Sequence, residues 1–285
     1  MKKGYSAERY LGLFDQKVDG VNGADNVLRP GNVGRYRLKT VRHGNLLDLE
    51  IFPIWNTASE EKAARKAKKR NPKAQEALNE RNARKRLDRL VNENFNAGDI
   101  KLDLTYDDEH LPTYEQAYRD ITNYFRRVKR YRKKHGLGEM KYYYRIEYAD
   151  EEGVEKRGHH HVIMSGMDRD DAEKLWGKGR ANADRIQPDS NGSISGAAIY
   201  LVKTGKRAKG KHRWAGSKNL KQPGMTVADT KLSRRRAYKL AQEADAFGKD
   251  LFENFYPGYA FTEVEVKYSE FVAGVYIYAR MRRRR

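Results

Sequence analysis

Two hydrophobic periods alternate along the chain. In residues 35–55, "RYRLKTVRHGNLLDLEIFPIW", Tyr36, Leu38 and Thr40 alternate with basic residues. "HGN" supplies a turn, and Leu47, Leu49 and Ile51 alternate on the return, which predicts a β-hairpin. Residues 61–95 have helical propensity interrupted by Pro72, with apolar positions sparse until Leu87, Leu90 and Val91. The alternation in "DIKLDLTY" (99–106) predicts a strand that puts Asp103 and Thr105 on one face and Leu102 and Leu104 on the other. Its expected role is mainly scaffold, with a possible contact to a bound partner. In 113–136, Ala117, Ile121, Tyr124, Phe125 and Val128 recur at helical spacing, with Thr113 as N-cap and Gly136 as stop. Strands follow at 140–149 and at "HHHVIMSG", then a short helix at "RDDAEKLWGKG", a strand at "RANADRIQ" and a helix over 194–206. A basic loop over 206–223, a helix over 230–247 and two strands over 259–280 complete the pattern. This order lacks strict βαβ alternation and predicts an α+β fold, a central antiparallel sheet with flanking helices.

Charge changes the picture. Fifty-nine Lys and Arg against thirty-nine Asp and Glu give +20, an excess that points to a polyanionic partner, above all nucleic acid. The candidate phosphate contacts are Arg126, Arg127, Lys129 and Arg130 in one cluster and Lys206, Arg207 and Arg213 in another. The charged run of 61–95 is a second candidate for a helix lying along a phosphate backbone. Nineteen tyrosines supply rings able to stack on bases. Zero cysteines exclude disulfides, Cys-based zinc sites and thiol nucleophiles. No apolar run approaches membrane-spanning length and no apolar segment follows the first lysines, so the expectation is a cytoplasmic protein with no membrane partner.

The candidate chemistry lies in "KRGHHHVIMSG" (156–166). On a strand His159 and His161 share a face, and His160 turns to the other as an interchangeable middle residue. Two imidazoles so placed can close on one divalent cation, and Glu147, on the strand the hairpin loop returns beside them, is the candidate third ligand. A polar strand end is the alternative account of the same residues. Downstream, "YLVK" places Tyr200 and Lys203 three apart on one helix face. A phenol with an ordinary pKa of about 10 needs a cation or metal beside it to act as a nucleophile.

Together "LDLTYDDEHLP", "IEY…RGHHHVIM" and "AIYLVK" resemble, in order, the three motifs of rolling-circle replication initiators, the HUH endonucleases. The likeness is to the replication-associated proteins of small single-stranded DNA phages and related mobile elements. It covers about 99–223, with "HRWAGSKNLKQP" resembling the stretch just past the tyrosine helix in those proteins. The resemblance implies an RRM-like catalytic domain over 99–223, flanked by an N-terminal extension (1–98) and a C-terminal segment (224–285). It implies a single-strand nickase and strand transferase in which Tyr200 forms a 5′-phosphotyrosine, helped by Lys203. His159, His161 and Glu147 would hold Mg²⁺ or Mn²⁺. The implied partners are single-stranded DNA at a replication origin, a host polymerase and a host helicase in a bacterial cell; the sequence contains no GxxxxGK[ST] motif for unwinding. Some of these phage enzymes carry a second active tyrosine four residues away on the same helix. Gly196 and Thr204 stand at those positions here. Three other readings stay open: a relaxase-like mobilisation nickase, a hydrolytic nuclease and a basic DNA-binding protein without catalysis.

Overall fold

The computed structural model describes residues 33–55, 72–149, 155–202, 214–268 and 274–284. In chain order its elements are β1 (Val33–His43), β2 (Leu46–Trp55), α1 (Pro72–Asn94), β3 (Ile100–Thr105), α2 (Tyr114–Lys134), β4 (Tyr142–Ala149), β5 (Glu155–Met164) and α3 (Arg169–Lys174). Then come β6 (Ala181–Arg185), α4 (Ser195–Val202), β7 (Ala215–Gly216), β8 (Gly224–Ala228), α5 (Arg234–Gln242), α6 (Ala244–Phe255), β9 (Tyr259–Tyr268) and β10 (Val275–Arg283). The fold is α+β, with two antiparallel five-stranded sheets. The chain divides into two compact units, one built from Leu90–Gln222 and the other from residues on both sides of it, up to Arg89 and from Pro223 onward.

The first unit holds the sheet β6-β3-β5-β4-β7. Leu102, Leu104, Val162, Met164 and Ala183 line one face and are buried against Ile121, Tyr124, Phe125 and Val128 of α2 and against Trp176. That stripe is the one the helical spacing predicts. Thr113 caps α2 by accepting a hydrogen bond from the Gln116 amide, and Gly136 follows its end in the left-handed conformation (φ 64°). The expected loop at 206–223 contains β7, which pairs with Tyr143 and Tyr144. The helix expected over 194–206 is described as Ser195–Val202, and its remainder lies outside the described residues.

The second unit holds the sheet β8-β1-β2-β10-β9. The sequence keeps 1–98 and 224–285 apart as separate flanks, yet β2 and β10 hydrogen-bond side by side, pairing Leu49 with Ala279. Alternation shows that a strand has a partner and is silent on which one. Tyr36, Leu38, Leu47, Leu49, Ile51 and Ile277 pack on one face against Leu240, Leu251 and Phe252. The single helix expected over 230–247 is two: Glu243 leaves helical geometry (φ −124°, ψ 51°), and both resulting helices cover this face. Strand β8 has no counterpart among the expected elements, because its residues are exposed and carry no burial alternation.

The opposite face of this sheet is charged. Asp48 of β2 receives hydrogen bonds from Arg89 (2.8 Å) and Arg280 (2.7 Å), and His43 Nε2 lies 3.2 Å from it. Glu50 pairs with Lys39, Lys85 and Arg89 at 3.3, 3.2 and 2.8 Å, while Arg280 also reaches Asp88 at 2.9 Å. Pro72 opens α1, where its missing N–H costs nothing. The charged run expected to lie along phosphates therefore spends Lys85, Asp88 and Arg89 on buried pairs; its residues 61–71 lie outside the described part.

This charged layer makes the unit acid-sensitive. Burial pushes Glu50 up, but Lys85, Arg89 and Lys39 outweigh it and hold its pKa at about 2; Asp48 is likewise held well below the carboxylate range, burial again being outweighed, by Arg280, His43 and Arg89. Depressed carboxylates stabilise fully above about pH 4.5, and that contribution drains away as pH falls towards 2. Calorimetric melts between pH 6 and pH 2.5 should show the transition falling by on the order of 10 °C or more. Glu50→Gln should flatten that slope, and an unchanged slope would sink the assignment.

Candidate active site

The uncovered face of the first sheet carries the sequence's polar residues in register. On β3 and β5, Asp103 stands opposite His161 and Thr105 opposite His159; on β4, Arg145 stands opposite His161 and Glu147 opposite His159. Because side chains alternate, Lys101, Asp103, Thr105, Arg145, Glu147, His159 and His161 all point away from α2. Helix α4 lies on this face: the Arg145 guanidinium reaches the Leu201 carbonyl at 3.4 Å, and the Tyr200 ring meets His161 edge-on, centroids 5.1 Å apart. A residue from a helix about forty positions downstream thus meets the histidine strand.

His161 is clamped by two carboxylates. Its Nδ1 is 2.6 Å from Asp103 and its Nε2 is 3.0 Å from Glu147. Burial alone would depress its pKa, but hydrogen bonds to Asp103 and Glu147 and their charges win, raising it to about 9. Burial would raise Asp103, yet hydrogen bonds from His161 and Tyr200, with the charges of His161 and Lys101, hold it below its usual value. Asp103 therefore joins the tyrosine to the histidine. His159 Nδ1 lies 3.3 Å from the Thr105 hydroxyl.

As a place for a divalent cation, this face offers the right donors. Two donors cis on an octahedral Mg²⁺ or Mn²⁺ lie roughly 3 Å apart, the spacing that His161 Nε2 and Glu147 Oε2 show. With Asp103 as the outer partner on Nδ1, Nε2 would be the nitrogen open to a metal once its proton is lost. Among the described residues no three His, Asp or Glu side chains already converge on one point.

Two residues of this face go beyond what the sequence pattern assigns. Asp103 is expected there as scaffold with a possible DNA contact, because nothing in the sequence sets the register that faces it towards His161. Lys101 holds its ammonium 4.9 Å from the Tyr200 ring centroid and 3.0 Å from Asp184. Lys203, the cation the sequence suggests for that role, lies outside the described residues, as do Lys206, Arg207 and Arg213. Arg126, Arg127, Lys129 and Arg130 sit on α2, on the other side of the sheet. Arg127 is spent on the carbonyls of Leu175 and Trp176 (2.8 and 2.9 Å).

Two supports hold the face. The Asn92 carboxamide accepts from the Ile194 amide (2.9 Å) and donates to the Ser195 hydroxyl (3.3 Å), pinning the start of α4. Gly179 (φ 136°) crosses the end of β3 so closely that a Cβ would meet the Asp107 amide nitrogen at 2.4 Å, which only glycine permits. His160 corrects the sequence expectation: it does turn to the opposite face, but it is not interchangeable. It is fully buried, bonded to the Tyr106 hydroxyl at 2.8 Å, with Trp176 edge-on to its ring at 5.3 Å. Burial first, then the nearby His161 and His159, lowers its pKa to about 3, so it stays neutral.

Residues 100–205 match the model of a family of replication-associated proteins, the ORF2 family. The matched segment contains β3 to β6 and α4, and so every described residue of the candidate site except Asn92. No curated protein and no solved structure matches the chain. No described helix is long and apolar enough to cross a membrane.

His160→Ala should cost roughly 2–4 kcal/mol in urea unfolding, through the cavity and the lost hydrogen bond to the Tyr106 hydroxyl. Unchanged stability would return His160 to the status of an interchangeable residue.

Proposed function

We propose that the protein is a rolling-circle replication initiator that nicks and rejoins single-stranded DNA through Tyr200. The observation that carries this reading is the meeting of Tyr200 with His161, Asp103 and Glu147 on one sheet face, within the segment that resembles replication-associated proteins.

In the proposed reaction the Tyr200 hydroxyl oxygen attacks the phosphorus of one phosphodiester. A Tyr–O–P bond forms and the P–O3′ bond breaks, leaving DNA joined by its 5′-phosphate to the enzyme. The phenol proton passes to solvent and the departing 3′-oxygen takes one up, giving a free 3′-hydroxyl for a host polymerase. The reverse attack by a 3′-hydroxyl reseals a strand at little energetic cost, because one phosphodiester replaces another. His161, Glu147 and His159 would hold Mg²⁺ or Mn²⁺, which supplies charge to offset that developing on the phosphate oxygens. Asp103 orients both His161 and the Tyr200 hydroxyl, and Lys101 places positive charge beside the phenol ring. Lys203 is proposed to add to that charge. The position one turn before Tyr200 is Gly196, which leaves Tyr200 as the nucleophile for each nick and favours a second molecule for a second nick.

The test is a denaturing gel of labelled single-stranded DNA, of mixed sequence or spanning candidate origins, incubated with protein and Mn²⁺ or Mg²⁺. A protein-linked band is expected that vanishes with Tyr200→Phe or EDTA. Asp103→Ala should reduce it about 10- to 100-fold. Cleavage with no linked band would instead mark a hydrolytic nuclease, and retardation without cleavage a binding protein.

A further inference from the structure

Helix α2 spends its buried stripe on the core, but the flank beside that stripe is unlike an ordinary solvated face. From Ile121 to Lys134 it contains no acid and seven bases. Arg127 and Arg132 are used internally, bonded to the backbone carbonyls of Leu175 and Trp176 and of Gly138 and Gly166 respectively. The other five, Arg126, Lys129, Arg130, Lys133 and Lys134, are exposed. Aromatic rings run among them. Tyr118 is 53% exposed, an unusual state for a ring at the edge of a core. Tyr142, at the start of β4, is only partly buried and stacks on Phe125 with centroids 3.9 Å apart and planes 22° from parallel. Lys129 lies over the Tyr142 ring at 5.6 Å, and the Tyr144 ring lies 6.3 Å from that of Tyr142.

The spacing makes this one surface. Residues 118, 122, 126, 129 and 133 follow steps of three and four, so Tyr118, Arg126, Lys129 and Lys133 form a continuous row along α2, with Tyr142 beside it on β4. Rings presented partly open and set among exposed cations match the chemistry of unpaired bases and their phosphates. A duplex keeps its base faces stacked on one another and offers the rings nothing. An acidic peptide would satisfy the cations and leave the rings idle. Tyr142 is held by its stack on Phe125, so little of its side-chain entropy is lost when a base stacks there.

We propose that the α2–β4 flank, centred on Tyr118 and Tyr142 and bordered by Arg126, Lys129 and Lys133, is a stacking surface for single-stranded nucleic acid, separate from the nicking face. It lies on the side of the sheet opposite His161 and Tyr200, so the strand it holds is one that the reacting residues do not touch. The surface reads base faces and backbone charge without sequence preference, as a holding site for a displaced or incoming strand requires.

The experiment is fluorescence anisotropy of the full chain in EDTA, which keeps binding apart from cleavage. The probes are a labelled oligo-dT, a matched abasic oligomer and a duplex of equal length. Tyr118→Ala should weaken oligo-dT about 5- to 100-fold while abasic affinity is unchanged, and Tyr118→Phe should retain wild-type binding. Lys129→Ala should weaken both single-stranded probes and lower the salt slope by about one. Equal loss on the abasic oligomer, no loss with Tyr118→Ala, or preference for the duplex would each overturn the proposal. Since no covalent step is involved, failure to find a tyrosyl adduct would leave this result standing, and loss of stacking would leave the adduct standing.

Discussion

The register that pairs Asp103 with His161 across β3 and β5 places the strand residues of the candidate site on one face. Three consecutive histidines at the head of an apolar run are ambiguous, because a strand slipped by one residue would still show a histidine on each face. The ambiguity is broken from both sides. On one face His160 is buried against Tyr106 and Trp176. On the other, Asp103 and Glu147 hold the two nitrogens of His161. The register that buries Val162 and Met164 against α2 is the register that presents His159 and His161 to Tyr200. One strand register therefore serves both the core and the site.

The two units treat buried charge differently. In the second, Asp48, Glu50 and Asp88 are matched by Lys85, Arg89 and Arg280, and the layer is nearly closed upon itself. Such a network returns little net stability over an apolar layer, but removing one member leaves a buried charge uncompensated. In the first unit, Asp103 and Glu147 converge on a single histidine, with Lys101 engaged by Asp184. That concentration of carboxylate is what a cation at this place would complete.

Much of this is legible in the sequence. The helix over 113–136 can be read with its cap, stop and core stripe, because a 3.6-residue period and a Thr113 start signal leave few alternatives. The shared face of His159 and His161 comes from strand period alone, and the placing of Glu147 from the shortness of the hairpin. What escapes reading is set by register and by long-range pairing. Asp103 can be placed on a face but not opposite a particular histidine. Lys101 draws no notice because a lysine on a strand is ordinary until a ring arrives from α4. Asn92 holds that helix from about a hundred residues away, and β10 joins β2 across most of the chain; neither contact leaves a local signal. Strand β8 hides for the opposite reason, being too exposed to show a pattern.

On the proposed mechanism, His161 and Glu147 are cation ligands made ready by Asp103. The most direct test is anomalous diffraction from crystals of the protein soaked in Mn²⁺. A manganese peak within bonding distance of both His161 Nε2 and Glu147 Oε2, with Nδ1 still on Asp103, is the predicted result. Ordered side chains with no peak between them, or a peak held by other residues, would contradict it.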